Sequence, residues 1–405
     1  YILYLDGPGF AGTGRGNTWV LGTDYHKIEL KDPNEGTGTI PSGPTDNGLS
    51  TVAAADKNDD NLVDYLYAGD RYGNLWKVDV SNADPANWGT AFGTASAPLP
   101  LFAAKTGDTT PVRQQITTSP SVVPHPNGGA LILFGTGSFV DQTDNQSPFS
   151  TNSFYGIWDK FDGTTRVTSR SQLQKQKTLA NVTSGSDTYA IQSNCQPQYA
   201  TNPTAAVTAT TLCPASLAPA ANGDGLIDQQ LGWVLDLQND PAVSASGERY
   251  ISTTTPILQN GLLTFVSITP SGDVCGGNTY DFVYNLDYLS GGASPFPVYY
   301  TTGTTSTAIT LSVTFGGGGS PVSVMPSGRK LAGQGLGQNG KPIDFRTDPG
   351  SGTPSTVTGC TPFVKGRACI KQPWTCLQIR PTPPCDGGRF KNKPIGRVSW
   401  RKITQ

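Results

Sequence analysis

Residues 56–79 read D-K-N-D-D-N-L-V-D-Y-L-Y-A-G-D-R-Y-G-N-L-W-K-V-D, and the reading of this stretch decides the fold. Its first part, Asp56 to Asp64, places oxygen-bearing side chains at positions 1, 3, 5 and 9: Asp56, Asn58, Asp60 and Asp64. A hard cation such as Ca²⁺ takes six to eight oxygen ligands, and a tight loop supplies them by aiming every second side chain inward. Position 7, Leu62, adds its backbone carbonyl. Position 6 needs positive φ, which Asn61 tolerates better than most residues. A helix–loop–helix calcium site would carry a bidentate Glu at position 12, where this chain has Tyr67. The loop instead runs into Tyr65-Leu66-Tyr67-Ala68, an aromatic and apolar run of strand type. After the turn at Asp70–Gly73 a second strand follows. Its alternation predicts Leu75, Lys77 and Asp79 facing outward, with Trp76, Val78 and Val80 inward.

The same unit, strand–turn–strand with an aromatic and an Asp near the end, recurs along the chain. Leu131–Thr136 is followed by Phe154–Asp159, and Leu262–Val266 by Phe282–Asp287. Trp19–Thr23 followed by Lys27–Leu30 reads as a weaker copy. Locally paired strands in irregular repeats predict an all-β fold, a modified, irregular β-propeller with long loop insertions. At roughly 40–50 residues per blade the length allows about six to eight blades, fewer with insertions. Trp76, Trp158, Trp233 and Trp400 read as blade core.

Composition agrees. The 405 residues include 49 Gly and 32 Pro, only 14% are charged, and the net charge is -2. That charge gives no reason to expect nucleic acid as a partner. No apolar run is long enough for a transmembrane helix. Of the seven Cys, Cys360, Cys369, Cys376 and Cys385 crowd the C-terminal segment, joined by Cys195, Cys213 and Cys275 upstream. With two His and no C-x-x-C pair, disulfides in an oxidising compartment are expected over a zinc site, with connectivity left open. Residues 163–230 read as an insertion and 347–394 as a Cys- and Pro-rich loop segment. Asn222, Asp224 and Asp228 form a second, weaker calcium-loop pattern whose first position, Ala220, offers no ligand side chain. His125 sits between Pro124 and Pro126 in a loop, with no partner evident by motif. No G-x-S-x-G, H-E-x-x-H or P-loop occurs, so no catalytic residues are assigned.

Several pieces occur in a specific order: residues 56–79, S-P-S-V-V-P-H-P-N-G-G at 119–129, I-L-F-G-T-G-S-F-V at 132–140, F-Y-G-I-W-D at 154–159, L-G-W-V-L-D-L at 231–237, G-E-R-Y at 247–250, L-D-Y-L-S-G-G at 286–292 and G-R-V-S-W-R at 396–401. From about residue 45 onward the chain resembles the PilC/PilY-type type IV pilus biogenesis factors. The resemblance implies a calcium-binding, non-enzymatic pilus-tip adhesin and assembly factor that supports pilus extension, surface adhesion and twitching motility. It implies minor pilins and a host or abiotic surface as partners and an extracellular, pilus-tip location. The implied Ca²⁺ ligands are Asp56, Asn58, Asp60, Leu62 and Asp64, with loop ordering acting as a switch. Residues 1–405 would then be a single C-terminal propeller domain of a longer protein, without the large N-terminal module of that family. The first 45 residues fit the pattern poorly, and no Arg-Gly-Asp integrin motif is present. A secreted propeller enzyme, such as a quinoprotein dehydrogenase, and a lectin-like scaffold are the competing expectations.

Overall fold

The computed structural model describes residues 1–4, 19–32, 47–106, 111–140, 144–184 apart from 145 and 147, 187–200, 209–210, 212–219, 226–238, 247–251, 256–259, 261–270 and 280–293, and beyond these only short strands between 299 and 344. The Cys- and Pro-rich 347–394 segment, Cys275 and Trp400 lie outside the described residues. The described part is all-β. Its named helical segments are single 3₁₀ turns, Pro85–Asn87 and Arg170–Gln172.

Three antiparallel-based sheets form the body. The first blade orders Ala53–Ala55, Tyr65–Gly69, Asn74–Asp79 and Gly89–Thr90, and Phe102–Ala103 also pairs with Asn74–Asp79. The second orders Ser121–Pro124, Ala130–Gly135, Ser153–Asp159, Gly232–Asp236 and Gln174–Gln176, the last pair parallel. The third orders Ile257–Gln259, Leu262–Thr269, Tyr280–Asp287 and Thr314–Gly316. Three of the repeat units read from sequence are therefore blade hairpins. They pair Tyr65 with Asp79, Phe134 with Tyr155, and Phe265 with Tyr284. Each blade is built around a hairpin of chain neighbours, as in propellers, with a crossover in the second, where Gly232–Asp236 lies between Ser153–Asp159 and Gln174–Gln176; the sheets do not close on themselves.

The fourth unit is a correction. Trp19–Thr23 and Lys27–Leu30 do not pair as a blade hairpin. Ile2–Leu3 pairs with Tyr25–His26 instead. The reason is local: the Asp24 carboxylate accepts the Val20 N–H at 2.8 Å and the Asp24 N–H reaches Val20 O at 2.8 Å, which closes residues 20–24 into a turn.

The outward assignment of Leu75 and Lys77 is also overturned. Every residue from Asn74 to Val78 is buried, and only Asp79 is partly exposed. The period-2 rule assumes one wet face. Here both faces are covered, because the second blade packs on the first. Lys77 is tolerated in that seam because its Nζ lies 2.8 Å from Asp159 Oδ2 of the second blade, both side chains almost fully buried. The ammonium also sits 3.7 Å from the centre of the Tyr65 ring. Tyr67 Oη donates to the same Asp159 oxygen at 2.7 Å, and the Phe161 N–H donates to Asp159 Oδ1 at 3.0 Å. Burial, with the carboxylate close by, holds the Tyr67 hydroxyl protonated far above its usual range.

One apolar core runs through all three blades. Ala130–Gly135 and Ser153–Asp159 are buried at every position, as expected for a sheet covered on both faces. Phe102 meets Tyr155 at 5.1 Å between the first and second blades, and Phe154 stacks on Phe265 at 3.9 Å between the second and third. Trp76, Trp158 and Trp233 are all buried core, as the sequence suggests. Trp233 explains the first Gly of the Gly-Gly in 286–292: Gly291 has φ +65°, and a Cβ there would lie 2.1 Å from the indole ring. Within residues 163–230, Cys195 and Cys213 form a disulfide.

Removing Lys77 alone strands a buried carboxylate. Lys77→Ala is expected to destabilise the domain by about 3–5 kcal/mol. Lys77→Met combined with Asp159→Leu should cost much less. Urea unfolding of the three proteins measures the difference, and equal losses would show that the pair itself is not the seam's determinant.

Candidate metal loop

The Asp56–Asp64 loop is the connection of a blade hairpin. Its ends are fixed by the sheet: the Asp64 N–H donates to Ala55 O at 2.9 Å, and the Val80 N–H donates to Asp64 O at 2.8 Å. Asp64 is buried and its Oδ2 accepts the Lys57 N–H at 2.8 Å, closing the loop at its neck.

Between these points the side chains fold the backbone. Asp56 Oδ1 accepts the Asn58 N–H at 3.1 Å, Asn58 Oδ1 accepts the Asp60 N–H at 3.3 Å, and Asp60 Oδ1 accepts the Leu62 N–H at 2.7 Å. This is a ladder of three Asx turns, each stepping two residues. Asp56 Oδ2 spans the loop to the Asn61 N–H at 2.7 Å. The sharp turn falls where the sequence places it, with Asn61 at φ 69°, and Asp59 at φ 60° is a second left-handed residue that the sequence reading did not single out. Leu62 turns its side chain to solvent at 68% exposure, which leaves its carbonyl as the group it can offer. Lys57, the one cation within the loop, extends over the Tyr65 ring at 5.4 Å.

The electrostatics favour the charged form of Asp56. Partial desolvation opposes ionisation of Asp56, but the N–H groups of Asn61, Asn58, Asp59 and Asp60 outweigh it and hold its pKa below the usual value. Among the described residues no three His, Cys, Asp or Glu side chains converge as a ready metal cluster. In this conformation Asn58 Nδ2 donates to Asp60 Oδ2 at 3.0 Å, an interaction that a cation between these residues would replace. The donor set, three carboxylates, one amide oxygen and one carbonyl on a single short loop, fits a hard, oxygen-seeking cation. Of the second loop pattern, Asn222 and Asp224 lie outside the described residues, and Asp228 is exposed behind buried Ile227.

The sequence reading missed buried polar centres elsewhere in the blades. Asp70, at the first-blade turn, accepts from Asn74 N–H at 2.8 Å, Trp76 Nε1 at 2.7 Å and Asn47 Nδ2 at 3.0 Å. Glu248 of G-E-R-Y is fully buried and accepts from Tyr284 Oη at 2.6 Å and from Ser267 Oγ. Arg170 is buried and donates to Tyr155 Oη at 3.0 Å and to Asp236. Burial pushes the Tyr155 hydroxyl up to about 12, and the nearby Arg170 guanidinium restrains that rise. Part of the signal was present in two motifs, since Glu248 is the single acid of G-E-R-Y and Asp236 that of L-G-W-V-L-D-L, each in a motif with an aromatic.

Locally paired blades and inter-blade aromatic seams define a β-propeller domain. Residues 26–188 match the family model of the PilY1 beta-propeller domain. The chain is 33% identical over 281 residues to a type IV pilus biogenesis factor PilY1 homolog of Xylella fastidiosa, covering 68% of this chain and 16% of that protein. It is 34% identical over 274 residues to type IV pilus biogenesis factor PilY1 of Pseudomonas aeruginosa, covering 62% of this chain and 21% of that protein. The crystal structure of the Pseudomonas aeruginosa PilY1 C-terminal domain matches with a TM-score of 0.53 at 24% identity, over 76% of this chain and 62% of that one. The chain thus carries a β-propeller domain of the PilY1 family and spans about a fifth or less of the length of these full-length relatives.

The left-handed position gives a direct test of the loop. Asn61→Gly should leave stability within about 0.5 kcal/mol, whereas Asn61→Val should cost about 1–3 kcal/mol, read from thermal melts in chelator.

Proposed function

We propose that this chain is the calcium-responsive β-propeller part of a type IV pilus biogenesis factor that works at the pilus tip, without enzymatic activity. The observation that carries the reading is the Asx-turn ladder of Asp56, Asn58 and Asp60, closed by Asp64 and joined directly to the first-blade strand Tyr65–Gly69. The names of the relatives support the pilus role.

In this reading Asp56, Asn58, Asp60 and Asp64 hold Ca²⁺ through side-chain oxygens, and Leu62 through its carbonyl. Bound Ca²⁺ neutralises three carboxylates that otherwise repel one another. The protein's part is to hold those oxygens in register. Asx turns space them along the loop, and Asp64 anchors the last one at the neck. Tyr65 and Tyr67 follow immediately and reach the Lys77–Asp159 pair. Loop order is thereby coupled to the seam between two blades, a path by which calcium would set the shape or stability presented to minor pilins. Adhesion to a host or abiotic surface, twitching motility and an extracellular location belong to the same proposal.

Calorimetric titration of Ca²⁺ into the wild type and an Asp56→Ala/Asp60→Ala variant tests it, with thermal melts alongside. One equivalent is expected in the wild type and none in the variant. At a hundredfold excess over Kd, calcium should add about 2.7 kcal/mol to wild-type stability. Binding that survives the double substitution, or no binding at all, overturns the assignment. If calcium binds as expected, a strain carrying Asp60→Ala that assembles and retracts pili like wild type would sever the site from pilus function.

A further inference from the structure

The second of the two histidines in the chain lies in the loop that its flanking prolines mark, directly after the strand Ser121–Pro124, yet it is not solvated there. His125 is 4% exposed. Its ring stacks on Trp158 with centroids 4.3 Å apart, and Tyr199 closes the other side edge-on at 4.5 Å. Nδ1 accepts the Asn127 N–H at 3.2 Å, which puts the proton of the neutral ring on Nε2. Nε2 is buried and has no hydrogen-bond partner among the described residues.

Tyr199 arrives from outside the blade. Its hydroxyl donates to Leu289 O of the third blade's turn at 2.6 Å, and its carbonyl accepts from Gln229 Nε2 at 2.8 Å. Beside it Gln198 and Gln230 exchange two bonds, Gln198 N–H to Gln230 Oε1 at 2.9 Å and Gln230 N–H to Gln198 O at 2.8 Å. The segment is tethered upstream by the Cys195–Cys213 disulfide and by Gln176 Nε2, which donates to Cys195 O at 2.6 Å. Residues 194–200 thus span the second and third blades, with the aromatic contact at His125 near one end.

We propose that His125 is the pin of an acid-operated latch that holds residues 194–200 across the second and third blades. A protonated ring carries N–H on both nitrogens, so Nδ1 would face the Asn127 N–H donor to donor, and Nε2–H would remain buried without an acceptor. Compensation for the charge is poor. Tyr199 is the titratable side chain in contact, and burial keeps its phenol neutral, with Asp287 and Tyr288 adding to that effect. Lys160 already places its ammonium 5.1 Å from the Trp158 ring centre, on the same aromatic group. Asp159, next in the chain, is committed to Lys77. Desolvation alone lowers the His125 pKa from 6.5 to about 4. The sign follows: the unfastened ring takes up a proton more readily than the latched one, so the latch is at full strength above about pH 6.5 and weakens as pH falls towards 4. The disulfide tether keeps the released segment attached.

Hydrogen exchange on the full chain between pH 7 and 5, corrected for the intrinsic rate, reads the latch. Protection at residues 196–200 should fall on the order of tenfold or more, while the blade strands keep theirs. His125→Phe retains the stack and should abolish the pH response. Unchanged protection in the wild type, or the same acid loss in His125→Phe, overturns the proposal. Should His125→Phe not fold, the wild-type imidazole resonances decide. A His125 midpoint below pH 5 is expected, and one near 6.5 overturns it.

Discussion

The Lys77–Asp159 pair is the contact on which the described architecture turns. Burying two opposite charges costs more than their attraction returns unless the remaining donors and acceptors are met. Here they are met from both blades: the Tyr65 ring under the ammonium, the Tyr67 hydroxyl and Phe161 N–H on the carboxylate. The pair is therefore a registration device. An apolar seam of similar volume could slide by a residue, whereas this one is satisfied at a single alignment of Asn74–Asp79 against Ser153–Asp159.

The same logic repeats around the arc. Asp70 organises the first-blade turn, Asp159 ties the first blade to the second, and Glu248 ties the approach to the third blade to Tyr284 and Ser267. Each acid is buried with several donors, and each lies beside an aromatic group that supplies apolar area. Phe154 on Phe265 and Phe102 against Tyr155 provide the non-directional attraction. The acids determine which geometry that attraction selects. Because Tyr65 and Tyr67 follow the Asp56–Asp64 loop without a break, the loop is mechanically close to this network although it is exposed itself.

Hairpin units were legible because their signal is local. Tyr65–Asp79, Leu131–Asp159 and Leu262–Asp287 carry their own turn residues and paired apolar runs, and the loop at Asp56–Asp64 carries its own spacing and its left-handed Asn61. Long-range facts were not legible. That Lys77 is buried depends on the position of Asp159 in another blade, and alternation within one strand cannot report a second covered face. His125 does lie in the loop that its flanking prolines mark, but nothing local shows that it is buried there. Its burial depends on Trp158 and Tyr199, far away in sequence. Trp19–Leu30 misled for the opposite reason, since strand-like composition was overruled by the Asp24 turn. The Cys195–Cys213 pairing needed coordinates.

The short segment Gly247–Tyr250 belongs in sequence between the second and third blades and in space to both. The Tyr250 N–H donates to Thr136 O, Arg249 Nη1 reaches Ser138 O, and the Arg249 backbone exchanges hydrogen bonds with Ile268. Propellers are commonly regarded as modular, as though a blade were a tile that duplication or deletion can add or remove. Here the tile has no clean border. Excising the third blade would take Tyr284 and Ser267 from Glu248, and excising the second would take Thr136 and Ser138 from Tyr250 and Arg249, so blade number in this lineage is expected to resist the drift that simpler repeat proteins tolerate. Change would be channelled instead into the segments that hang from the seams.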